Sequence, residues 1–271
     1  MTVMADSTRK RPRRPRHAMK TIFAEVTAVT AVTPRLRRVT FFSDELAGFL
    51  TPFPDQFATL IFPLKHQERP LIEPVGFNWT EFQEIPEADR PIARNYTVRR
   101  SRPEVGEIDI DFVLHEVYGF GSEWAERAEP GMIVAMWGPR VGYNPGDEVE
   151  WQLLVGDETA VPAIGAILEA LPAGARARVI VEVADASDEV EFPTGAEVEI
   201  TWLHRAEGER GKPDLLLEAV RSLPFPEGPI YVWGAGEFGF TTTLGRYLRR
   251  ERSLKTPSIC AISYWRLEPV S

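Results

Sequence analysis

The chain has one cysteine, Cys260, and four histidines among its 271 residues. A single cysteine excludes a disulfide within the chain and a four-cysteine zinc or iron–sulfur site. The histidines show no spacing typical of metal ligands, and they lie at positions 17, 66, 115 and 204. We therefore expect no metal ion held by the protein itself.

Long apolar runs are also missing. No stretch approaches the roughly 20 apolar residues that span a bilayer. The first 19 residues are basic and lack an apolar segment after their charges, so they do not resemble a secretory signal. A cytoplasmic protein without a membrane partner is the expectation.

Basic residues are outnumbered by acidic residues outside the N-terminal tail. Seven of the 31 basic residues and one of the 40 acidic residues lie in the first 20 positions, which leaves the remainder with a net charge of −15. An acidic body repels phosphate, so we expect no nucleic-acid partner. The tail itself, residues 1–19, is expected to be disordered and solvated, although its charge also suits an acidic surface. A monomer is the default expectation.

Two different patterns divide the rest of the chain. Residues 20–145 contain short strand-like segments separated by turns rich in proline and glycine, at 21–32, 37–42, 56–62, 95–99 and 107–114. Many short strands of this kind predict a β-barrel or sandwich. Residues 65–93 interrupt the rhythm and are interpreted as a long loop, which in a compact domain is often functional.

Residues 146–271 alternate strands with helices. Strands are predicted at 151–155, 178–183, 197–203, 230–233 and 259–265, and helices at 161–171, at 213–222 and from the glycines after 233 to about 252. This alternation predicts a parallel sheet with helical crossovers, an α/β nucleotide-binding domain. A β-barrel followed by such a domain suits an enzyme that holds one cofactor on each half.

The first candidate site lies on the predicted barrel strand around position 96. Alternation along a strand places Arg94, Tyr96 and Val98 on one face. Tyr96 offers a flat surface for an isoalloxazine ring, and Thr97 can form a hydrogen bond with the reactive edge of that ring. Arg94 or Arg99 can neutralise phosphates. The peptide therefore fits a flavin, with a solvated barrel strand as the equal alternative.

The second candidate is a glycine-containing turn at 115–125. It holds His115, Gly119, Gly121 and Ser122, and we expect a helix to begin near Ser122. Glycines let the backbone approach a ligand, and the free N–H groups of a helix start favour phosphate. An ordinary turn capped by Ser122 is the structural alternative.

The third and fourth candidates follow two predicted strands of the α/β half. Gly156, Asp157, Glu158 and Thr159 come directly after the first strand, which is where ligands meet a parallel sheet. The segment lacks the spacing of the dinucleotide fingerprint, and its acids are equally interpretable as a helix cap.

Four further residues follow residue 233, and an aromatic residue ends the last strand. Gly234, Ala235 and Gly236 permit close approach of a cofactor, and Glu237 is a candidate for contacting a ribose or a nicotinamide amide. Trp265 is interpreted either as an aromatic near the flavin or as interdomain packing.

Together these segments resemble the siderophore-interacting protein family of FAD-dependent ferric-siderophore reductases, within the ferredoxin-reductase-like superfamily. The resemblance covers nearly the whole chain after the tail. It rests on the order and spacing of five segments, at 33–39, 94–99, 156–164, 233–237 and 264–266. It implies FAD on the barrel, NADPH or NADH on the α/β domain, and electrons passed singly to ferric iron inside a siderophore.

Three features of the sequence leave alternatives open. Glu116 puts an anion where the resemblance expects the FAD pyrophosphate, and Thr59 stands where family members often have lysine. Because of these departures, two other hypotheses stay open: a flavin oxidoreductase with another acceptor, and a flavin-free siderophore-binding module. The choice between NADPH and NADH is also open, because both basic and acidic side chains follow the strands of the α/β half, at Arg205, Arg210, Glu182 and Asp185.

Overall fold

The computed structural model describes residues 19–48, 53–72, 78–114, 119–205, 210–212 and 214–267. His115, Glu116, the predicted start of a helix at 213 and the tail before residue 19 lie outside the described residues. Among the described residues, no helix combines the length and apolarity needed to cross a membrane.

Seven strands form one antiparallel sheet in the first half of the chain. They are β1 (Lys20–Thr33), β2 (Leu36–Phe42), β3 (Gln56–Phe62), β4 (Ile92–Thr97), β5 (Arg100–Arg102), β6 (Glu107–Val113) and β7 (Ile133–Val141). Their order is β4-β3-β7-β1-β2-β6-β5, so the sheet is barrel-like but not closed by a β4–β5 ladder. Inward-facing apolar side chains from six of these strands enclose a single core.

Two helices accompany this sheet. α1 (Trp79–Glu84) packs Phe82 against Ile61 and Ala135 on the outer surface of the sheet. α2 (Phe120–Arg127) sends Trp124 and Ala125 into the barrel core. The described part of the predicted loop at 65–93 therefore contains a short helix. The Asn78 side chain caps its start by accepting a hydrogen bond from the Thr80 amide at 2.9 Å.

The second half of the chain forms a parallel five-stranded sheet. Its strands are β8 (Trp151–Asp157), β9 (Arg176–Val183), β10 (Glu197–His204), β11 (Ile230–Glu237) and β12 (Ile259–Trp265), in the order β10-β9-β8-β11-β12. One face packs against α3 (Val161–Ala170), and the other packs against α4 (Asp214–Ser222) and α5 (Phe238–Arg250). Helices on both faces explain why β8 is buried along its whole length.

The two sheets correspond to the predicted fold class, a barrel-like flavin domain followed by an α/β nucleotide domain. Pairing changes from antiparallel to parallel between Val141 and Trp151; a domain boundary at 145/146 stays a prediction. Ion pairs join the halves: Arg35 binds Asp185 and Asp188 at 3.0 and 2.7 Å.

Three local predictions need correction. α2 begins at Phe120 with Gly119 as its N-cap, not near Ser122, because Gly119 already has the extended backbone of a cap, with φ −84° and ψ 151°. The glycines after Trp233 continue β11 to Glu237, because β8 pairs with β11 as far as Ala235 and β12 pairs with it as far as Glu237. β5 and β7 were not predicted as strands, because turn-forming residues such as Gly138 and Pro139 lie within or beside them.

Candidate functional site

Strand β4 lies at an edge of the barrel sheet and pairs only with β3 among the described strands. One row of its backbone N–H and C=O groups therefore has no strand partner. Arg94, on this strand, is exposed, and its guanidinium donates a hydrogen bond to the neighbouring Ala93 carbonyl at 2.9 Å. In the described part of the chain no carboxylate forms an ion pair with Arg94. The Arg94 guanidinium and the adjacent unpaired edge of β4 are therefore both available to a ligand.

Tyr96 points from the same strand into the mouth of the barrel. Its ring packs against Phe112 at 4.4 Å and Phe62 at 6.3 Å between centroids. Burial raises the pKa of its hydroxyl above the ordinary value. That hydroxyl lies directly against Gly121, where an added Cβ would collide with it. Gly121 is therefore required by the position of Tyr96.

The contact with Tyr96 places the start of α2 beside β4. Gly119, the N-cap, supplies no side-chain hydrogen bond to the first turn. The first N–H groups of a helix lack intrahelical partners and carry the positive end of its dipole, which favours phosphate. Ser122 is buried within this first turn. Arg94, Gly119, Gly121 and Ser122 are thus brought to one region.

Two of the remaining residues of the 94–99 segment, Thr97 and Arg99, face the domain interface. Val98 is buried in the barrel core, and the buried Thr97 contacts the hydroxyl of Tyr264. Arg99 forms a two-point ion pair with Glu169 of α3, at 3.0 and 2.5 Å. Burial alone would raise the pKa of Glu169, but the hydrogen bond and charge of Arg99 lower it. Arg99 therefore joins the domains, and its role beside phosphate stays a prediction.

A cation that we did not predict lies on the outer face of the barrel sheet. Arg140 of β7 donates to Asn95 Oδ1 at 2.7 Å and also contacts Thr59 Oγ1. Its guanidinium lies over the rings of Phe57 and Trp137, at 4.7 and 5.1 Å. Burial lowers the pKa of Arg140. Because β7 was not recognised as a strand, its register with Thr59 could not be predicted.

Asp157 is buried at the carboxyl end of β8. It accepts hydrogen bonds from the Thr159 amide at 2.9 Å, the Glu237 amide at 3.0 Å and the Trp265 indole at 2.8 Å. Burial and the charge of Glu158 raise the pKa of Asp157 to about 6. Asp157 therefore ties together three segments that were predicted separately.

Glu158 is held by two arginines. Arg205 and Arg210 each approach its carboxylate to 2.8 Å. Glu182 of β9 pairs in register with Asp157 and is buried. Burial, with the charges of Asp157 and Glu158, raises the pKa of Glu182 to about 8. Arg205 and Arg210, the two candidates for binding a 2′-phosphate, therefore already neutralise charge in this acidic cluster.

The glycines of the α/β half are used for close packing. A Cβ at Gly156 would collide with Ala160 and the Ala235 carbonyl, and one at Gly234 would meet Leu244 at 2.5 Å. Gly236 has φ +141°, and a Cβ there would lie 2.5 Å from the Asp157 carboxylate. Packing alone accounts for the three positions, and their role in nucleotide binding stays a prediction.

Glu237 and Trp265 are also engaged within the domain. Glu237 caps α5 by accepting the Phe240 amide at 3.1 Å, and it accepts the Leu267 amide at the same distance. Trp265 lies under the guanidinium of Arg210, 4.2 Å from the ring centroid. Trp265 thus covers the carboxyl edge of the sheet, whereas its neighbour Tyr264 reaches Thr97.

Asp55 is a second residue that sequence reasoning missed. It precedes β3, is fully buried and has φ +58°. Trp233 Nε1 donates to it at 3.1 Å, and the Tyr264 hydroxyl lies 3.5 Å from it. These partners are 178 and 209 positions away in sequence, so no local pattern marks this carboxylate.

The barrel residues fit FAD. A dinucleotide needs a flat hydrophobic surface, hydrogen-bonding groups for the ring and positive groups for a diphosphate. Tyr96, the open edge of β4 and Thr97 would supply the first two, and Arg94 with the start of α2 would supply the third; these residue roles stay predictions. The glycine that brings Tyr96 against this helix start makes them one continuous site.

Comparisons with known proteins agree with this arrangement. Residues 25–143 match the model of the siderophore-interacting FAD-binding domain, and residues 149–268 match that of the siderophore-interacting protein family. Ferric vibriobactin reductase ViuB from Vibrio cholerae is 33% identical over 241 residues, which cover 87% of this chain and 85% of that protein.

Solved structures show the same relationship. A siderophore utilization protein from T. fusca has a TM-score of 0.80 and 34% identity, covering 94% of this chain and 95% of its own. The siderophore-interacting protein SipS from Aeromonas hydrophila has a TM-score of 0.74 and 30% identity, covering 92% and 99%. The fold is shared more widely: a ferredoxin reductase of carbazole 1,9a-dioxygenase has a TM-score of 0.59 at 15% identity, covering 93% and 71%. The chain belongs to the siderophore-interacting protein family and has the ferredoxin-reductase-like fold.

Proposed function

We propose that this chain is an FAD-dependent oxidoreductase that uses NADPH or NADH to reduce a ferric siderophore and release ferrous iron. The observation that carries the proposal is the continuous site formed by Arg94, Tyr96 and the start of α2, in a member of the siderophore-interacting protein family. The relative named ferric vibriobactin reductase supports the choice of acceptor.

FAD supplies the redox chemistry when bound, because it accepts a hydride and passes electrons on singly. The barrel domain, residues 20–145, holds and orients it. Arg94 and the amides near Gly119 and Gly121 bind the diphosphate. Tyr96 packs on the ring, and Thr97 offers a hydrogen bond to its reactive edge. Ser122 lies in the helix turn proposed to receive the diphosphate, and His115, which is outside the described residues, is proposed to contribute to the same binding segment.

The α/β domain, residues 146–271, binds the nicotinamide nucleotide at the carboxyl edge of its sheet. Ligands of parallel sheets bind at this edge. The segments at 156–159 and 234–237 end there, and so does Trp265. Their mutual hydrogen bonds give the edge a fixed shape against which a nucleotide is placed.

Arg140 supports an anionic chelate as the substrate. The lysine often found at position 59 in the family is absent, but Arg140 contacts Thr59 from the adjacent strand. A cation therefore occupies the same region of the outer face, near β4. In a protein whose body has a strongly negative net charge, a local positive group is needed to attract an anion. The iron arrives within its chelator as substrate.

The test compares acceptors with purified, FAD-supplemented protein. A ferric siderophore and a non-iron two-electron acceptor are supplied separately with NADH or NADPH under anaerobic conditions, and ferrous iron is trapped with a colorimetric chelator. We expect ferrous release with the siderophore and slower turnover with the other acceptor. Faster turnover of the non-iron acceptor, or protein that never takes up FAD, would contradict the proposal.

A further inference from the structure

Asp55 is a buried carboxylate shared by the two domains. It belongs to the barrel half, yet its side-chain partners, Trp233 and Tyr264, lie on β11 and β12. The backbone amides of Gly142 and Tyr143, which follow β7, also donate to it. A Cβ at Gly142 would lie 2.7 Å from its carboxylate. The linker between the sheets thus closes tightly around this group.

The surroundings of Asp55 are polar but uncharged. Its donors among the described residues are an indole, a phenol and two amides, and none of these carries a positive charge. The other titratable groups in this cluster are Tyr143, near Asp55, and Cys260, near Tyr264. Burial raises the pKa of Asp55 to about 7, with the hydrogen bonds offsetting only part of the effect. Such a group both takes up and releases a proton near neutral pH.

Tyr264 connects this carboxyl group to the flavin strand. Its hydroxyl faces Asp55 on one side and contacts Thr97 on the other. Burial of the hydroxyl and the charge of Asp55 raise the pKa of Tyr264, so the phenol stays protonated and can pass a proton along. Thr97, Tyr264 and Asp55 therefore lie next to one another across the domain interface, with 3.5 Å between the Tyr264 hydroxyl and the Asp55 carboxylate.

We propose that Asp55 receives the proton that leaves the reactive edge of the flavin, by way of the Thr97 and Tyr264 hydroxyls, and later returns it to solvent through the partly exposed Tyr264. The inference rests on the proposed function. A reduced flavin that has given its two electrons to two ferric ions has one proton to lose. Each hydroxyl accepts that proton on one side and donates its own on the other. The Asp55 carboxylate becomes a carboxylic acid, and no further reactant is needed.

Infrared difference spectroscopy of the FAD-loaded protein tests this directly. Spectra of the reduced and reoxidised states should contain a protonated-carboxyl stretching band that shifts in heavy water. The band should be lost in Asp55→Asn. Tyr264→Phe should abolish the change in this band while leaving the Asp55 carboxyl group in place. Tyr143→Phe, which removes a phenol hydroxyl bonded to Gln152 in the same interface, should leave the band unchanged.

A kinetic measurement provides the second readout. Reoxidation of reduced protein by a ferric siderophore should slow by at least about tenfold in both relay variants and lose its dependence on pH near neutrality. An Asp55→Asn protein that keeps the wild-type band and pH profile would overturn the relay. Failure of wild-type protein to bind FAD or reduce the siderophore would instead overturn the proposed function.

Discussion

The Tyr96 hydroxyl lies directly against Gly121, so the flavin strand and the helix proposed to bind diphosphate are in contact through one phenol and one glycine. The strand is an edge strand and the helix start has no side-chain cap. Neither element presents a complete site alone. Their contact would fix the distance between the proposed surface for the ring and the proposed donors for the phosphates.

Replacing Gly121 with alanine should weaken FAD binding, because the added Cβ displaces the Tyr96 hydroxyl. We expect the dissociation constant, measured by flavin fluorescence, to rise about tenfold or more, equivalent to ~1.4 kcal/mol. Gly119→Ala is the matched control, since a Cβ there meets nothing within 4 Å. Adding Tyr96→Phe to Gly121→Ala should recover part of the affinity. Equal losses in the two glycine variants would contradict this account.

Replacing Arg94 with alanine should reduce FAD affinity without destabilising the protein. Arg94 is exposed and bonded only to its neighbour's carbonyl within the described residues. Loss of a charged hydrogen bond to phosphate costs about 1.5–3 kcal/mol, a factor of roughly 10 to 100. Arg127→Ala, which breaks an exposed pair with Glu123 on α2, should leave FAD binding intact. A large drop in the stability of the flavin-free Arg94 variant would argue for a structural role instead.

Glu169→Gln should destabilise the domain interface. It leaves the Arg99 guanidinium, whose side chain is only 6% exposed, with only its longer pair to Asp111 at 4.0 Å. Breaking a buried pair from one side costs about 3–5 kcal/mol, and the partial exposure of Glu169 and the remaining Asp111 favour the lower end. Urea unfolding of the flavin-free protein measures this loss. Glu150→Gln removes an exposed pair with Arg176 and should change stability by less than about 1 kcal/mol.

Glu182 should make the protein less stable as pH rises. Its pKa in the folded state is raised to about 8 from an ordinary value of 4.5. The folded state therefore holds a proton that the unfolded state loses first. The stabilisation is complete below pH 4.5 and is lost as pH rises toward 8, by up to about 1.4 kcal/mol per pH unit.

Thermal or urea unfolding of Glu182→Gln across this range checks the prediction. The variant should keep more of its stability at pH 8 than the wild type does. Glu199→Gln, at an exposed position on β10, should follow the wild-type profile. A steeper decline in Glu182→Gln than in the wild type would contradict the assignment.

Local sequence patterns predicted most helices and strands but not the contacts between them. The bounds of β3 and β12 coincide with the prediction, because both are short apolar runs between clear turns. β7 was missed because Gly138 and Pro139 interrupt it, and with it Arg140 was missed. Asp55 was hidden because its partners come from distant strands. The glycines near 156 and 234 were interpreted as permitting close approach of a cofactor, which stays a prediction; their packing against neighbouring strands could not be predicted, because it depends on which strands are adjacent.

The central claim is that this chain holds FAD and uses it to pass electrons from a nicotinamide nucleotide to a ferric siderophore. An anaerobic absorbance titration of the FAD-supplemented protein tests it most directly. NADH or NADPH should bleach the flavin bands, and about two equivalents of ferric siderophore per flavin should restore them. Flavin bands that persist after both nucleotides, or bleached bands that the ferric siderophore does not restore, would contradict the account.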